Sequence, residues 1–148
     1  MSLPALEADG DLPIGVHPAT LSEVMQRFGE VNPKRRVVAA RLQRVCRLAW
    51  STAQVARLIV FGSFITAKSV PNDIDIFLLM ENSFDVSQTS GEVSLVFDHT
   101  AAQSHFGASV FWLRRMAALE GEDAAVEYWQ IKRDGGFRGV VDVREVGP

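Results

Sequence analysis

The sequence has a single cysteine, Cys46, among 148 residues. One thiol excludes a disulfide framework and any cysteine-based zinc site within the chain. Long apolar runs are missing as well. None approaches the ~18 residues that a membrane span needs, so no membrane partner is expected. Met1-Ser2-Leu3-Pro4 is not a basic region followed by an apolar stretch, so we expect no signal peptide and a cytoplasmic setting. Net positive charge is lacking too. At −3 the chain is not a globally basic nucleic-acid binder. The hydrophobic content of 47% excludes global disorder, and the length suits one domain.

Two more absences are local. From Val31 to Asn72 there is no acidic residue, while Lys34, Arg35, Arg36, Arg41, Arg44, Arg47, Arg57 and Lys68 supply eight positive charges. From Asp73 to Leu113 there is no Lys or Arg, while Asp73, Asp75, Glu81, Asp85, Glu92 and Asp98 supply six negative charges. Two readings stand. Folding interleaves the blocks into compensating solvated faces, or an acidic cation-binding cluster sits beside a basic wall, which suits a polyanion carried with a metal.

Residues 1–19 contain Pro4, Pro13, Pro18, Gly10 and Gly15 and read as an irregular arm, with one domain over 20–148. Thr20 and Glu23 have capping-box spacing, which predicts a helix over 21–28 closed by Gly29. Asn32-Pro33 opens a second helix whose apolar face is Val38, Leu42, Val45, Cys46 and Ala49. Leu58 to Phe61 and Asp73 to Met80 read as strands. Val93 to Phe97 reads as another. Asp98 or Thr100 caps a short helix ending at Gly107, and Val110 to Leu113 reads as a strand. A helix over Glu120 to Ile131 and a turn at Asp134-Gly135-Gly136 follow. Val140, Val141, Val143 and Val146 make a final edge strand. Strands alternating with helices predict an α/β or α+β fold around one mixed sheet flanked by helices.

The chemistry concentrates in Phe61-Gly62-Ser63, a spacer of nine, then Asp73-Ile74-Asp75-Ile76. Alternation along a strand sends Ile74 and Ile76 into the core and holds the two carboxylates on the other face, about 7 Å apart. Like charges so placed repel unless a cation lies between them. Hard oxygen ligands with no adjacent His or Cys favour Mg²⁺ or Mn²⁺. Gly62 permits close approach of a ligand, and Ser63 offers an N–H and a hydroxyl to phosphate oxygens.

This pattern resembles the signature of the DNA polymerase beta-like nucleotidyltransferase superfamily. Leu12-Pro13, Gly15, His17, Ala19-Thr20-Leu21, Arg27-Phe28-Gly29 and Asn32-Pro33 further resemble small uncharacterised bacterial proteins that carry the same motif. The resemblance implies that Gly62 and Ser63 form the nucleotide-phosphate turn and that Asp73 and Asp75 are catalytic residues and ligands of two metals. Superfamily enzymes add a third carboxylate from a later strand. The fitting position here is Ser109, and Asp98 is the other candidate, either as the third catalytic carboxylate or as a helix N-cap. Lys68, in the connector after Ser63, is a candidate triphosphate contact or an exposed loop lysine.

Two functions follow from the resemblance. One is Mg²⁺-dependent transfer of a nucleoside monophosphate from a nucleoside triphosphate to a hydroxyl acceptor. The acceptor, a protein side chain, an RNA end or a small molecule, would come from a partner or sit across a homo-oligomer interface, since a chain this small has little room for an acceptor domain. The other is a degenerate nucleotidyltransferase fold serving as a nucleotide-binding or toxin–antitoxin-type regulatory module. The third carboxylate separates them.

Overall fold

Thr20 and Glu23 make the capping box that the spacing predicts, each side chain taking the other's backbone N–H, and helix α1 (Leu21–Phe28) starts there. Asn32 caps helix α2 (Pro33–Trp50) by accepting from Arg35 N–H at 2.8 Å, with Pro33 in the first turn. Val38, Leu42, Val45, Cys46 and Ala49 are fully buried. Burial raises the Cys46 thiol pKa, so Cys46 is a core residue. These elements belong to a computed structural model that describes residues 3–145.

Strand β1 (Val16–Thr20) precedes α1, and β2 (Val55–Phe61) follows α2. Then come β3 (Ile74–Met80), helices α3 (Gly91–Val96) and α4 (His99–Phe106), β4 (Ala108–Arg114), helix α5 (Glu122–Glu127) and β5 (Val140–Arg144). The sheet has the order β1-β5-β2-β3-β4. β2 runs antiparallel to β3 and β5, while β3/β4 and β1/β5 are parallel pairs. The mixed α/β fold is as expected. Among the described residues no helix is long and apolar enough to cross a membrane.

The sheet divides the core in two. One face carries Leu58, Val60, Ile74, Ile76, Leu78 and Val110 against α1 to α4. The other carries Ile59, Phe77, Leu79 and Val140 beneath Val126 of α5, with Phe61 and Trp129 packed alongside. Asp75 lies on this second, thinner face, one alternation step from Phe77.

Four local readings are corrected. Residues 16–19, read as part of an irregular arm, belong to β1. Pro18 is tolerated because β1 is an edge strand with a free N–H side. Val93 to Phe97 is mostly helix α3, since a short apolar run does not by itself separate a strand from a buried helix. The last strand is not an edge. β5 lies between β1 and β2, and Val140 to Val143 are all buried. Val146 lies outside the described residues. The helix expected over 120–131 is shorter, with α5 passing into a 3₁₀ turn at Tyr128–Gln130.

Candidate functional site

β2 leaves the core at Phe61 and the chain turns sharply. Gly62 has φ 84° and ψ −165°, a conformation that side chains other than glycine's rarely adopt. A 3₁₀ turn follows at Ser63–Ile65, anchored by the buried Phe64 and Ile65. Thr66 closes it, its N–H and hydroxyl donating to Ser63 O at 3.2 and 2.7 Å.

Arg35 holds this turn from below. It is 3% exposed and donates to the carbonyls of Phe28 (3.1 Å), Phe64 (2.6 Å) and Thr66 (2.6 Å). It also donates to Lys68 O. Four carbonyls satisfy a planar guanidinium that has no carboxylate partner among the described residues. In the sequence Arg35 is one charge among eight. Its partners lie up to 33 residues away, so spacing carries no signal for it.

Asp73 and Asp75 enter beside the turn. Phe61 pairs with Asp75 across β2/β3. A Cβ built on Gly62 would overlap Oδ2 of Asp75 and sit 3.0 Å from its Cγ. Asp75 is half-buried, and its pKa is raised from the ordinary 3.8 to about 6. Desolvation is the main cause and the Asp73 charge the next, with Arg133 and Arg138 pulling the other way. The structure thus brings Gly62, Ser63, Asp73 and Asp75 together.

Ser109 occupies the position at which the sequence resemblance leads one to expect a third carboxylate. It is the β4 partner of Asp75 on the same face, and its hydroxyl accepts from Gln103 Nε2 at 3.1 Å. Asp98 is the N-cap of α4, accepting from Ala101 N–H at 3.0 Å. Among the described residues no group of three or more His, Cys, Asp or Glu side chains forms a metal-holding cluster. Two carboxylates fit one Mg²⁺ or Mn²⁺ whose other ligands are water and phosphate oxygens. They do not fit a two-metal centre that needs a third carboxylate. Asp73 and Asp75 would hold the cation, which would neutralise phosphate charge.

Lys68 is exposed, with its carbonyl bound by Arg35 and its N–H donating to Thr66 Oγ1 at 3.2 Å. Several arginines of α2 have partners, one a carboxylate and the others backbone carbonyls. Arg44 pairs with Glu92 and lies over the Phe106 ring, and Arg41 donates to Asn72 O at 3.2 Å. Among the described residues Arg44–Glu92 is the one ion pair of α2, so that half of the charge segregation is only partly compensated. The cations that act on Asp75 come from residues 131–139 instead, a segment that sequence reading treats as a turn. Beside the carboxylates Trp129 packs on Phe61, Phe77 and Phe111 at centroid distances of 4.6, 5.2 and 5.0 Å, and His99 lies on Phe111 at 4.8 Å. A groove of about 490 Å³ opens along Phe77, Phe111, Leu113, Leu119, Tyr128 and Trp129. Neither Asp73 nor Asp75 lines it.

The profile of a family of unknown function (DUF6932) matches residues 4–144. No curated protein matches the chain, and no solved structure matches it.

Proposed function

The chain belongs to this family of unknown function, DUF6932, and from its own residues we propose that it is a nucleotidyltransferase-like domain that binds a nucleoside triphosphate together with one Mg²⁺ or Mn²⁺ and acts as a nucleotide-binding or regulatory module. The observation that carries the reading is Asp75 set against Gly62 at the Ser63 turn, beside Asp73. An under-solvated carboxylate next to a like charge is costly without a cation and suited to one. The turn beside it offers backbone and hydroxyl donors to phosphate.

Ser109 is what favours binding over transfer. A transferase of this type needs a base for the acceptor hydroxyl and a ligand for a second metal. A serine hydroxyl occupied by Gln103 supplies neither, and Asp98 is engaged as a cap. Transfer of a nucleoside monophosphate to a protein, RNA or small-molecule hydroxyl therefore requires a carboxylate from a partner or from a second copy of the chain.

Calorimetry with ATP, GTP, CTP and UTP, with and without Mg²⁺, tests this. The expected result is Mg²⁺-dependent binding by the wild type that is lost in Asp73→Asn/Asp75→Asn. Absence of binding to every nucleotide with Mg²⁺ and with Mn²⁺ would overturn it.

A further inference from the structure

We propose that the groove between β4 and α5 is a separate binding site for a small amphipathic organic cation, an apolar or aromatic body with a protonated amine or quaternary ammonium head. The proposal does not depend on the nucleotide reading, because neither Asp73 nor Asp75 lines the groove.

The thin side of the sheet creates this groove. α5 is only six residues long and carries Ala124 and Ala125 where larger side chains would fill the space over β3 and β4. A cavity of about 490 Å³ is left, within the ordinary range for small-molecule sites. Strand alternation fixes its floor. Phe77 follows Asp75 on that face of β3, and Phe111 follows Ser109 on β4. The apolar floor therefore begins about 7 Å along the strands from the polar end. At the rim Leu119 and Tyr128 are 93% and 61% exposed, which makes a contiguous apolar surface open to water.

Ring geometry and charge identify the ligand class. Phe77 and Phe111 lie 30° and 34° from the plane of Trp129, and Tyr128 stands at 90° to it. Near-parallel rings with one perpendicular wall make an aromatic corner, and ring faces attract cations. Glu120 is the single charged residue of the lining among the described residues. Neither Glu120 nor Glu127 of α5 makes an ion pair among the described residues. The nearby cations are already engaged, Arg115 with Glu81 and Glu122, and Arg57 with Asp142 and Asp123.

The mouth of the groove is thus aromatic and negative. An anion is repelled there, a neutral apolar body is accepted, and a cation on such a body gains twice, from the rings and from Glu120. A second copy of the chain suits the groove less well. A two-fold contact centred on it would set Glu120 against its own counterpart, and like charges facing each other across an interface are unfavourable.

Titrations followed at the indole N–H resonance of Trp129 test the site with three probes that share one body: phenylbutylamine, phenylbutanol and phenylbutyrate at neutral pH. The amine should bind about tenfold tighter than the alcohol, the scale of one cation–π contact plus one exposed ion pair. The butyrate should bind weakest. Glu120→Gln should cut the amine's advantage to about threefold and leave the alcohol unchanged. Glu120 is exposed, so this change does not come from the core. Ala124→Phe, at an exposed position of α5, should block all three probes in a protein shown by its melting curve to be folded. Equal affinity for amine and alcohol, an amine/alcohol ratio unchanged by Glu120→Gln, or no binding of the amine would overturn the proposal. Two further outcomes would give the groove another occupant and overturn it as well. One is a dimer in sedimentation that Leu119→Asp dissociates. The other is a basic amphipathic peptide that binds about tenfold or more tighter than the amine and is blocked by Ala124→Phe.

Discussion

Gly62 and Asp75 stand so close across the β2–β3 pair that the carboxylate occupies the space of the glycine's missing Cβ. Gly62 also has φ 84°, so alanine is opposed twice, by backbone strain and by the carboxylate. Gly62→Ala should cost roughly 1–3 kcal/mol of stability and push Asp75 out of its place beside Ser63. Thermal melts should show the loss of stability, and calorimetry a loss of Mg²⁺-nucleotide affinity of about tenfold or more. A variant that melts lower yet binds as tightly as the wild type would separate Asp75 placement from nucleotide binding.

Asp75 makes stability depend on pH in a defined direction. Its folded-state pKa is raised from 3.8 to about 6, so the fold holds the proton more tightly than the unfolded chain does. Its contribution is favourable and fully present below about pH 4, and it is lost as pH rises through about 6. Above pH 7 the ionised carboxylate costs the metal-free protein about 2 kcal/mol, after allowance for its partial exposure. Asp75→Asn removes the titration. At pH 8 in chelator it should melt about 4–8 °C higher than the wild type, and at pH 4 the two should coincide. Mg²⁺ should raise the wild-type melting temperature at pH 8 and leave that of Asp75→Asn unmoved. A constant difference across the pH range would show that the carboxyl is not the titrating group.

The parts of the fold that could be read in advance are those governed by local rules. Thr20–Glu23, Asn32–Pro33, Asp98 and Gly107 are caps whose chemistry is complete within a few residues. The Ile74-Asp75-Ile76 alternation assigns faces without knowledge of any neighbour, whereas Asp73, read as the first residue of that strand, lies in the bend before β3. What escaped depends on distant partners. Pro18 is compatible with β1 only because β5 inserts beside it and leaves the other edge free. The same insertion delivers Arg133 and Arg138 to carboxylates about sixty residues earlier in the chain. Charge counting leaves two readings of the basic stretch 31–72, compensated faces or a basic wall, because composition cannot show which charges are paired, as Arg44 is with Glu92.

Arg35 shows the same limit and yields a prediction. Its fork serves four carbonyls from two segments that converge under the Ser63 turn. A lysine ammonium cannot reproduce that planar geometry. Arg35→Lys should lower stability by about 2–4 kcal/mol. In hydrogen exchange it should loosen the amides of residues 63–69 more than those of β2 and β3, with weaker nucleotide binding as a consequence. Uniform loosening across the sheet, with the turn no more affected than the rest, would mean that Arg35 supports the core generally and does not hold the turn in particular.

Ser109 offers a test by addition. It neighbours Asp75 on β4 and points to the same face, so Ser109→Asp places a third carboxylate roughly 5 Å from the strand that carries the pair. Without metal the new charge repels Asp75 and Asp73. The variant should melt several degrees below the wild type at pH 8 in chelator, and the deficit should shrink toward pH 4 as the carboxyls protonate. With Mn²⁺ or Mg²⁺ the sign reverses, because three carboxylates hold a cation better than two. The metal-induced rise in melting temperature should exceed that of the wild type. Ser109→Asn controls for volume and for the lost hydrogen bond to Gln103, and it should show neither the pH dependence nor the enhanced metal response. If Ser109→Asp gains Mn²⁺ affinity and then releases pyrophosphate from a nucleoside triphosphate with water or an added hydroxyl acceptor, the missing carboxylate is what separates this domain from a transferase. If its metal response equals that of Ser109→Asn, position 109 does not face the cation, and the reading of Asp73 and Asp75 as an incomplete carboxylate triad is wrong.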